Sequence, residues 1–207
     1  MKEPLLYRIT RPIIKLFMKL FFRPTYKGLE NITSVESCIL AGNHTSNLDC
    51  LLLISATNKT IHFLAKDSLA KGLKKYLFLN MGIIPVNRKI HDKNALNAGI
   101  NALRENKTIA IFPEGTINKT KDTVMPFKIG AVKMAKETNT TIVPFTIKNK
   151  YKLFRKSVEI EFLHPYKITT KKEDLTEENI KLMNIISKSL ESWGKLWGYL
   201  IWNFFVS

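Results

Sequence analysis

Residues 38–56 read CILAGNHTSNLDCLLLISA, and this stretch decides the fold. A short apolar run typical of a buried strand leads through a polar loop into an apolar helical pattern. Short β-rich runs then alternate with longer helical patterns. The predicted strands are residues 38–41, 61–65, 83–87, 108–112, 142–147 and 158–162, and the predicted helices are residues 48–56, 68–80, 93–104 and 127–138. This alternation predicts a single α/β domain with a mixed, mostly parallel sheet covered by helices, and a functional site at the carboxyl ends of the strands.

The composition narrows the class of protein. A chain of 207 residues suffices for one domain, and 45% apolar with 24% charged residues is a globular balance. Two cysteines, Cys38 and Cys50, are too few for a disulfide framework or a Cys-rich zinc site. No apolar run approaches the roughly 18 residues that span a bilayer. Because Lys15 and Lys19 also interrupt the N-terminal apolar stretch, neither a membrane-spanning helix nor a secretory signal is expected.

Charge is concentrated near the N-terminus. The whole chain carries 33 Lys and Arg against 17 Asp and Glu, a net +16 that predicts attraction to nucleic acid or to an anionic membrane. Residues 1–27 hold seven of the cations against one acidic residue, Glu3. Five of these cations fall on one face at helical spacing: Arg8, Arg11, Lys15, Lys19 and Arg23. Apolar side chains occupy the remainder, and Pro12 is expected to divide the segment into two short helices.

This pattern predicts that residues 1–27 are an amphipathic segment lying on an anionic membrane surface. The alternative is an ordinary surface helix packed on the domain of residues 28–207. At the other end of the chain, a helical pattern that Thr176 can cap carries all three tryptophans, Trp193, Trp197 and Trp202. Tryptophan favours membrane interfaces, but a core helix closing the domain is an equal alternative.

The loop after the first predicted strand contains a histidine and an aspartate five positions apart, His44 and Asp49. A second pair at this spacing, His62 and Asp67, falls within a strand pattern and at a helix N-cap, so we interpret it as structural. His44 instead lies between a strand and a helix, where Asp49 can fold back to one ring nitrogen. Ser46 is too near His44 to be a comfortable nucleophile, and no G-x-S-x-G elbow is present. We therefore expect His44 Nε2 to deprotonate a substrate hydroxyl, although a helix-capping Asp beside a loop His is the structural alternative.

Four blocks in the same order resemble the 1-acylglycerol-3-phosphate acyltransferase family. They read NHTSNLD at 43–49, GIIPVNR at 82–88, FPEGT at 112–116 and IVP at 142–144, and the resemblance covers about residues 1–165. It implies that residues 28–207 form an acyltransferase catalytic domain, with His44 and Asp49 as the catalytic pair.

The resemblance also implies a binding site for a phosphate-bearing acceptor, formed by Arg88, Glu114, Gly115 and Thr116. Arg88 offers a planar fork to phosphate oxygens, and Gly115 lets a backbone amide approach closely. Glu114 cannot pair with phosphate, so we expect it to orient Arg88, a lysine or a substrate hydroxyl. Read alone, residues 113–115 also fit a plain turn, and Arg88 a solvated strand-end charge.

The chain departs from the family pattern directly after the FPEGT block. Ile117 and Asn118 stand where the family has arginine and serine, which removes a positive charge near the acceptor phosphate. Lys119, Lys121 and Lys128 are the candidates to replace it. Lys66 resembles a family lysine near the site, implying a role in oxyanion stabilisation, with a surface charge as the alternative.

The reaction implied is acyl transfer from acyl-CoA or acyl-carrier protein to the sn-2 hydroxyl of 1-acylglycerol 3-phosphate (lysophosphatidic acid), giving phosphatidic acid in phospholipid synthesis. Because a thiol leaves easily, the chemistry needs hydroxyl activation and oxyanion stabilisation, and we expect neither metal nor cofactor. The expected location is the cytoplasmic face of the cell membrane, peripheral or monotopic.

The alternatives are acylation of another lysolipid or of glycerol 3-phosphate, a non-catalytic lipid-binding relative, and a nucleic-acid-binding protein. We expect no nucleic-acid partner, because the cations concentrate beside apolar aromatics.

Overall fold

The computed structural model describes residues 4–66, 82–86 and 93–206, with the backbone alone described at 65, 66, 85, 86, 93 and 193–206. The described strands are β1 (Thr25–Lys27), β2 (Cys38–Gly42), β3 (Ile61–Lys66), β4 (Ile83–Val86), β5 (Thr108–Ile111), β6 (Thr141–Lys148) and β7 (Glu159–Phe162). The described helices are α1 (Leu5–Phe21), α2 (Leu29–Thr33), α3 (Asp49–Ala56), α4 (Lys93–Arg104), α5 (Gly130–Thr138) and α6 (Thr176–Val206).

The described strands form one sheet in the order β1-β7-β6-β2-β5-β3-β4. Neighbouring strands run parallel except β6 and β7, which are antiparallel. The predicted single α/β domain with a mixed, mostly parallel sheet is therefore confirmed. The predicted helix at 68–80 lies outside the described residues. β1 was not predicted, because three residues between Pro24 and Gly28, two half-buried and one exposed, are too few to show strand periodicity.

Helices cover both faces of the sheet, which explains why β2 is buried at every position. On one face, α1 and α3 pack over side chains such as Leu40. On the other face, α4, α5 and the first half of α6 pack over Ile39 and Ala41. Since side chains alternate along a strand, this one stretch of β2 contributes to both halves of the core.

α1 is one continuous helix, so the prediction that Pro12 divides the segment is wrong. Proline removes a single backbone hydrogen bond here, and Pro12 itself is exposed. The opposite side of the helix is held by packing: Tyr7 and Met18 are buried against the α3 side of the core. The Tyr7 hydroxyl also accepts a hydrogen bond from the Ile61 amide at 3.0 Å. These tertiary contacts therefore keep the helix continuous in spite of the hydrogen bond that Pro12 removes.

A second side of α1 carries apolar side chains that face away from the domain. They are each between 52% and 62% exposed: Leu5, Ile9, Ile13, Leu16 and Leu20. Their spacing of three or four residues puts them in one stripe, called here the α1 apolar stripe.

The predicted cationic face of α1 is divided between protein and solvent. Arg11 donates to the Asn58 carbonyl and Lys15 to the Asn58 side chain at 2.7 Å, while Arg8 and Lys19 are exposed. Partial burial, with the nearby Arg11 charge, lowers the pKa of Lys15. In the part of the chain that the structure describes, no helix is both long and apolar enough to cross a bilayer.

Candidate active site

The candidate site lies where three loops leave adjacent strands. β6, β2 and β5 are parallel neighbours, so their carboxyl ends share one edge of the sheet. His44 follows β2, Glu114 follows β5 and Tyr151 follows β6. The Asn43 side chain joins the β2 and β6 ends by two hydrogen bonds with the backbone of Ile147, at 2.7 and 2.9 Å. The Asn118 amide joins the β5 loop to the His44 carbonyl at 2.8 Å.

The structure brings His44 and Asp49 together. His44 Nδ1 lies 2.8 Å from Asp49 Oδ2, with Asp49 folding back from the first turn of α3. Because an ionised carboxylate only accepts hydrogen bonds, Nδ1 carries the proton in the neutral imidazole and Nε2 presents a lone pair. Nε2 has no hydrogen-bond partner among the described residues, and 17% of the His44 side chain is exposed. The pair can therefore act as an oriented base open to one side.

Five hydrogen bonds fix the buried carboxylate of Asp49. Oδ2 accepts from His44 Nδ1 and from the amides of Thr45 at 2.6 Å and Ser46 at 2.9 Å. Oδ1 accepts from Thr45 Oγ1 at 3.1 Å and from the Tyr151 hydroxyl at 2.7 Å. Such a dense set of donors matches a charged acceptor and leaves it no freedom to rotate away from the imidazole.

Tyr151 is the site residue that sequence reasoning missed. Burial first, and the adjacent charge of Asp49 second, raise the pKa of Tyr151, so its hydroxyl remains a donor. Nothing in the local pattern of residues 149–152 marks a tyrosine as functional. The usable signal is topological: Tyr151 follows β6, the strand that pairs with β2.

The imidazole of His44 rests on an aromatic ring. Phe112 stacks on it with a centroid distance of 4.0 Å and an interplanar angle of 13°. Phe112 is held edge-on by Phe145, which belongs to the core beneath the site. Ring packing and the Nδ1 hydrogen bond together define the direction of Nε2.

Glu114 does not make the contacts that the sequence predicted. It is buried, with Oε1 accepting from the His44 amide at 2.8 Å and Oε2 from the Met125 amide at 2.9 Å. Both oxygens therefore bind backbone amides, whereas we expected contacts with Arg88, a lysine or a substrate hydroxyl. Glu114 ties the His44 loop to the loop that follows β5.

The remaining residues of the FPEGT block at 112–116 lie beside the two hydrogen bonds of Glu114. Gly115 has a φ of +76°, and a Cβ built there would lie 2.9 Å from Cε of Lys128, so the lysine side chain crosses the glycine. The Gly115 amide donates to the Phe112 carbonyl at 2.9 Å and closes a turn. Thr116 and Lys128 are exposed. Lys128, one of the three candidate replacement lysines, therefore lies against this block.

Of the predicted site residues, Lys66 is described by its backbone alone. Arg88 lies outside the described residues, as does Asp67 of the second His–Asp pair. The backbone of Lys66 ends β3, which pairs with β5, so it lies at the same edge of the sheet. Trp193, Trp197 and Trp202 lie on the α6 backbone, and their side chains are outside the described part.

His62 is structural, as its strand position predicts. It is buried in β3, with Nδ1 3.3 Å from the Thr108 carbonyl. Burial lowers the pKa of its imidazole. Spacing alone cannot distinguish His62 from His44, but the described surroundings of the two residues do.

The thiol beside the dyad is not set up as a nucleophile. Burial, and secondarily the charge of Asp49, raise the pKa of Cys50 to about 12. Burial raises that of Cys38 to about 11. Across the described ranges, no three His, Cys, Asp or Glu side chains cluster in a way that could hold a metal ion.

A partly exposed histidine oriented by a buried aspartate, at the carboxyl ends of parallel strands, is chemically able to accept the proton of a hydroxyl. Comparison with known families agrees, because the Acyltransferase family model matches residues 23–148. The chain belongs to this family, and the resemblance seen in the four blocks is confirmed.

Individual relatives show which acyltransferases the chain is similar to. The chain is 34% identical over 177 residues to 1-acyl-sn-glycerol-3-phosphate acyltransferase of Borreliella burgdorferi, covering 80% of this chain and 70% of that protein. It is 30% identical over 141 residues to the enzyme of the same name from Helicobacter pylori, covering 65% and 59%. The crystal structure of the 1-acyl-sn-glycerophosphate (LPA) acyltransferase PlsC from Thermotoga maritima shares the fold, with a TM-score of 0.71 at 22% identity over 91% of this chain and 81% of that one.

Proposed function

We propose that this protein is a 1-acyl-sn-glycerol-3-phosphate acyltransferase of phospholipid synthesis. It transfers an acyl group from an acyl thioester to the sn-2 hydroxyl of lysophosphatidic acid, giving phosphatidic acid. The observation that carries the proposal is the 2.8 Å contact between His44 Nδ1 and the buried Asp49, with the ring partly open to solvent. The names of the relatives from Borreliella burgdorferi and Helicobacter pylori supply the acceptor.

The chemistry follows from the state of the imidazole. His44 Nε2 takes the proton of the acceptor hydroxyl as its oxygen attacks the thioester carbonyl, and Asp49 stabilises the imidazolium that forms. The tetrahedral oxyanion then collapses, the carbon–sulfur bond breaks, and the thiolate takes the proton from Nε2. No acyl-enzyme is needed, because the substrate hydroxyl is itself the nucleophile. Such proton transfer contributes about 10²- to 10⁴-fold in rate.

We place the acceptor phosphate beside the loop after β5, against Arg88, Gly115, Thr116 and Lys128, with Lys66 at the same edge of the sheet to help stabilise the oxyanion. Support comes from Lys128, whose side chain crosses Gly115, and from exposed Thr116 next to it. Glu114 serves this site indirectly, by holding the two loops together. The role of Arg88 rests on the block at 82–88, which includes β4, and that of Lys66 on its resemblance to a family lysine and its position at the end of β3.

We further propose that residues 1–27 seat the enzyme on an anionic membrane, at its cytoplasmic face, with residues 28–207 as the catalytic domain. The α1 apolar stripe supports this, because five large apolar side chains exposed along one helix side are rare unless something covers them. Arg8 and Lys19 are exposed beside the stripe, where their charges can pair with lipid phosphates.

Acyl transfer is tested with purified protein, radiolabelled acyl-CoA and acyl-carrier protein as alternative donors, and lysophosphatidic acid, other lysolipids and glycerol 3-phosphate as acceptors. We expect turnover with lysophosphatidic acid and a loss of about 10²- to 10⁴-fold in kcat for His44→Ala. His62→Gln is the matched control, a histidine at the same spacing that lies in the core. If His44→Ala turns over like the wild type, the proposal is wrong.

Membrane binding is tested by substitution, since deleting residues 1–24 also removes the core side chains Tyr7, Met18 and Phe22. Ile9, Ile13 and Leu16 are changed to Gln and the variant is floated with vesicles of phosphatidylcholine and phosphatidylglycerol. We expect release from the vesicles with unchanged far-UV circular dichroism. Full retention would contradict the proposed membrane contact of α1.

A further inference from the structure

A second apolar surface lies on the loop between β6 and β7, residues 149–158. At its tip, Leu153 is 60% exposed and Phe154 is 61% exposed. The loop carries four cations, all exposed, and no acidic residue: Lys150, Lys152, Arg155 and Lys156. Two large apolar side chains surrounded by cations match the layering of an anionic lipid surface, with acyl chains below phosphates.

The backbone holds this tip in an unfavourable conformation. Phe154 has a φ of +58°, in the left-handed region that bulky residues seldom adopt. A hydrogen bond from the Lys152 amide to the Ser157 hydroxyl at 3.1 Å closes the loop behind it. The exposure of the Phe154 ring is therefore built into the loop.

The loop is joined to the end of α1. The Phe154 amide donates to the Phe21 carbonyl at 2.6 Å, and the two rings lie 5.4 Å apart. Phe21 belongs to the last turn of α1, next to Leu20 of the α1 apolar stripe. The tip therefore lies beside the carboxyl end of α1, where the α1 apolar stripe ends, on the side of the sheet packed by α1 and α3.

We propose that the 149–158 loop is a second membrane contact, inserting Leu153 and Phe154 into the same anionic leaflet as α1. The proposal rests on the proposed function insofar as that function places the enzyme on a membrane. Its consequence for the reaction is positional: Tyr151, at the base of the loop, binds Asp49, so membrane contact of the loop would bring the His44–Asp49 pair close to the membrane in which a lysolipid resides.

Lipid is the favoured occupant of this surface for two reasons. An acidic protein, such as an acyl-carrier protein, would complement the four cations but leave no reason for Phe154 to be held outward in a strained conformation. The loop also lies beside the end of α1, whose exposed apolar stripe offers a bilayer a second contact nearby. The test below includes the acidic protein as a separate arm.

Contact with lipid is measured by a fluorophore sensitive to polarity, attached at Leu153→Cys. The native thiols interfere little, because burial raises the pKa of Cys38 to about 11 and that of Cys50 to about 12. Ile180→Cys is the matched control: an exposed aliphatic residue on α6, which packs on the opposite face of the sheet. Each labelled protein is mixed with vesicles of phosphatidylcholine and phosphatidylglycerol, with pure phosphatidylcholine vesicles, and with acyl-carrier protein.

We expect a blue shift at position 153 with the anionic vesicles and none at position 180. The double variant Leu153→Ser and Phe154→Asn should weaken vesicle partitioning by about tenfold or more. Changing the four loop cations to Gln should weaken it by a similar factor, whereas the same change at Lys133, Lys167, Lys171 and Lys188, which lie outside this loop, should have a smaller effect.

No shift at position 153, an equal shift at both positions, or a shift produced by acyl-carrier protein alone would overturn the proposal. Acyl transfer to micellar lysophosphatidic acid is measured on the same preparations. Transfer without a blue shift means that the membrane contact of the loop is wrong while the proposed function stands. A blue shift without transfer means that the proposed function is wrong while the membrane contact of the loop stands.

Discussion

The contact between Tyr151 and Asp49 allows the sharpest test of how the site works. Tyr151→Phe removes one hydroxyl, 2.7 Å from Asp49 Oδ1, and leaves the ring that packs edge-on against Phe22. A hydrogen bond to a charged, buried group is worth about 1.5–3 kcal/mol. If that energy serves to hold Asp49 against His44 in the transition state, kcat falls by about 10- to 100-fold, at about 1.4 kcal/mol per tenfold.

The matched control is Tyr26→Phe. The hydroxyls of Tyr26 and Ser55 share a hydrogen bond of 2.8 Å. Tyr26→Phe therefore removes a hydrogen bond between two neutral groups, which is worth about 1 kcal/mol of folding stability. Steady-state kinetics and thermal melts are measured on both variants. We expect Tyr151→Phe to lower kcat while the KM for lysophosphatidic acid stays within about twofold, and Tyr26→Phe to change neither. Unchanged kcat in Tyr151→Phe, or an equal loss in both variants, would refute the positioning role.

Three further predictions follow from other residues. Arg88→Ala should raise the KM for lysophosphatidic acid by about tenfold with little change in kcat, and an unchanged KM would show that the phosphate binds elsewhere. Gly115→Ala forces a Cβ into the left-handed region against Lys128, so denaturant melts should show a loss of about 1 kcal/mol, and a stability equal to wild type would contradict the strain. Burial lowers the pKa of His62 in the folded state, so protonation favours the unfolded chain as pH falls below about 6.5, and stability drops there. His62→Gln should show a weaker loss of stability between pH 7.5 and pH 5.5 in chemical denaturation; an identical loss would assign it to other groups.

Much of the fold could be predicted because it is coded locally. The predicted helix at 93–104 matches α4, and the predicted strand at 142–147 lies within β6, since both segments carry a strong local pattern of apolar residues. β1 could not be predicted, because its three residues gain strand geometry only by pairing with β7. Pro12 was misjudged for a similar reason: propensity argued for a break, and packing of the buried side of α1 prevented it.

By itself, the sequence determined the α/β architecture and the pairing of His44 with Asp49, because strand–loop–helix order and a spacing of five residues act over short distances along the chain. Only the tertiary structure decided which groups surround that pair. Tyr151 reaches Asp49 from 102 positions away and Glu114 reaches the His44 amide from 70, through the parallel pairing of β2 with β6 and β5. Such contacts depend on which strands become neighbours in the sheet, a long-range choice made by burial of the whole core.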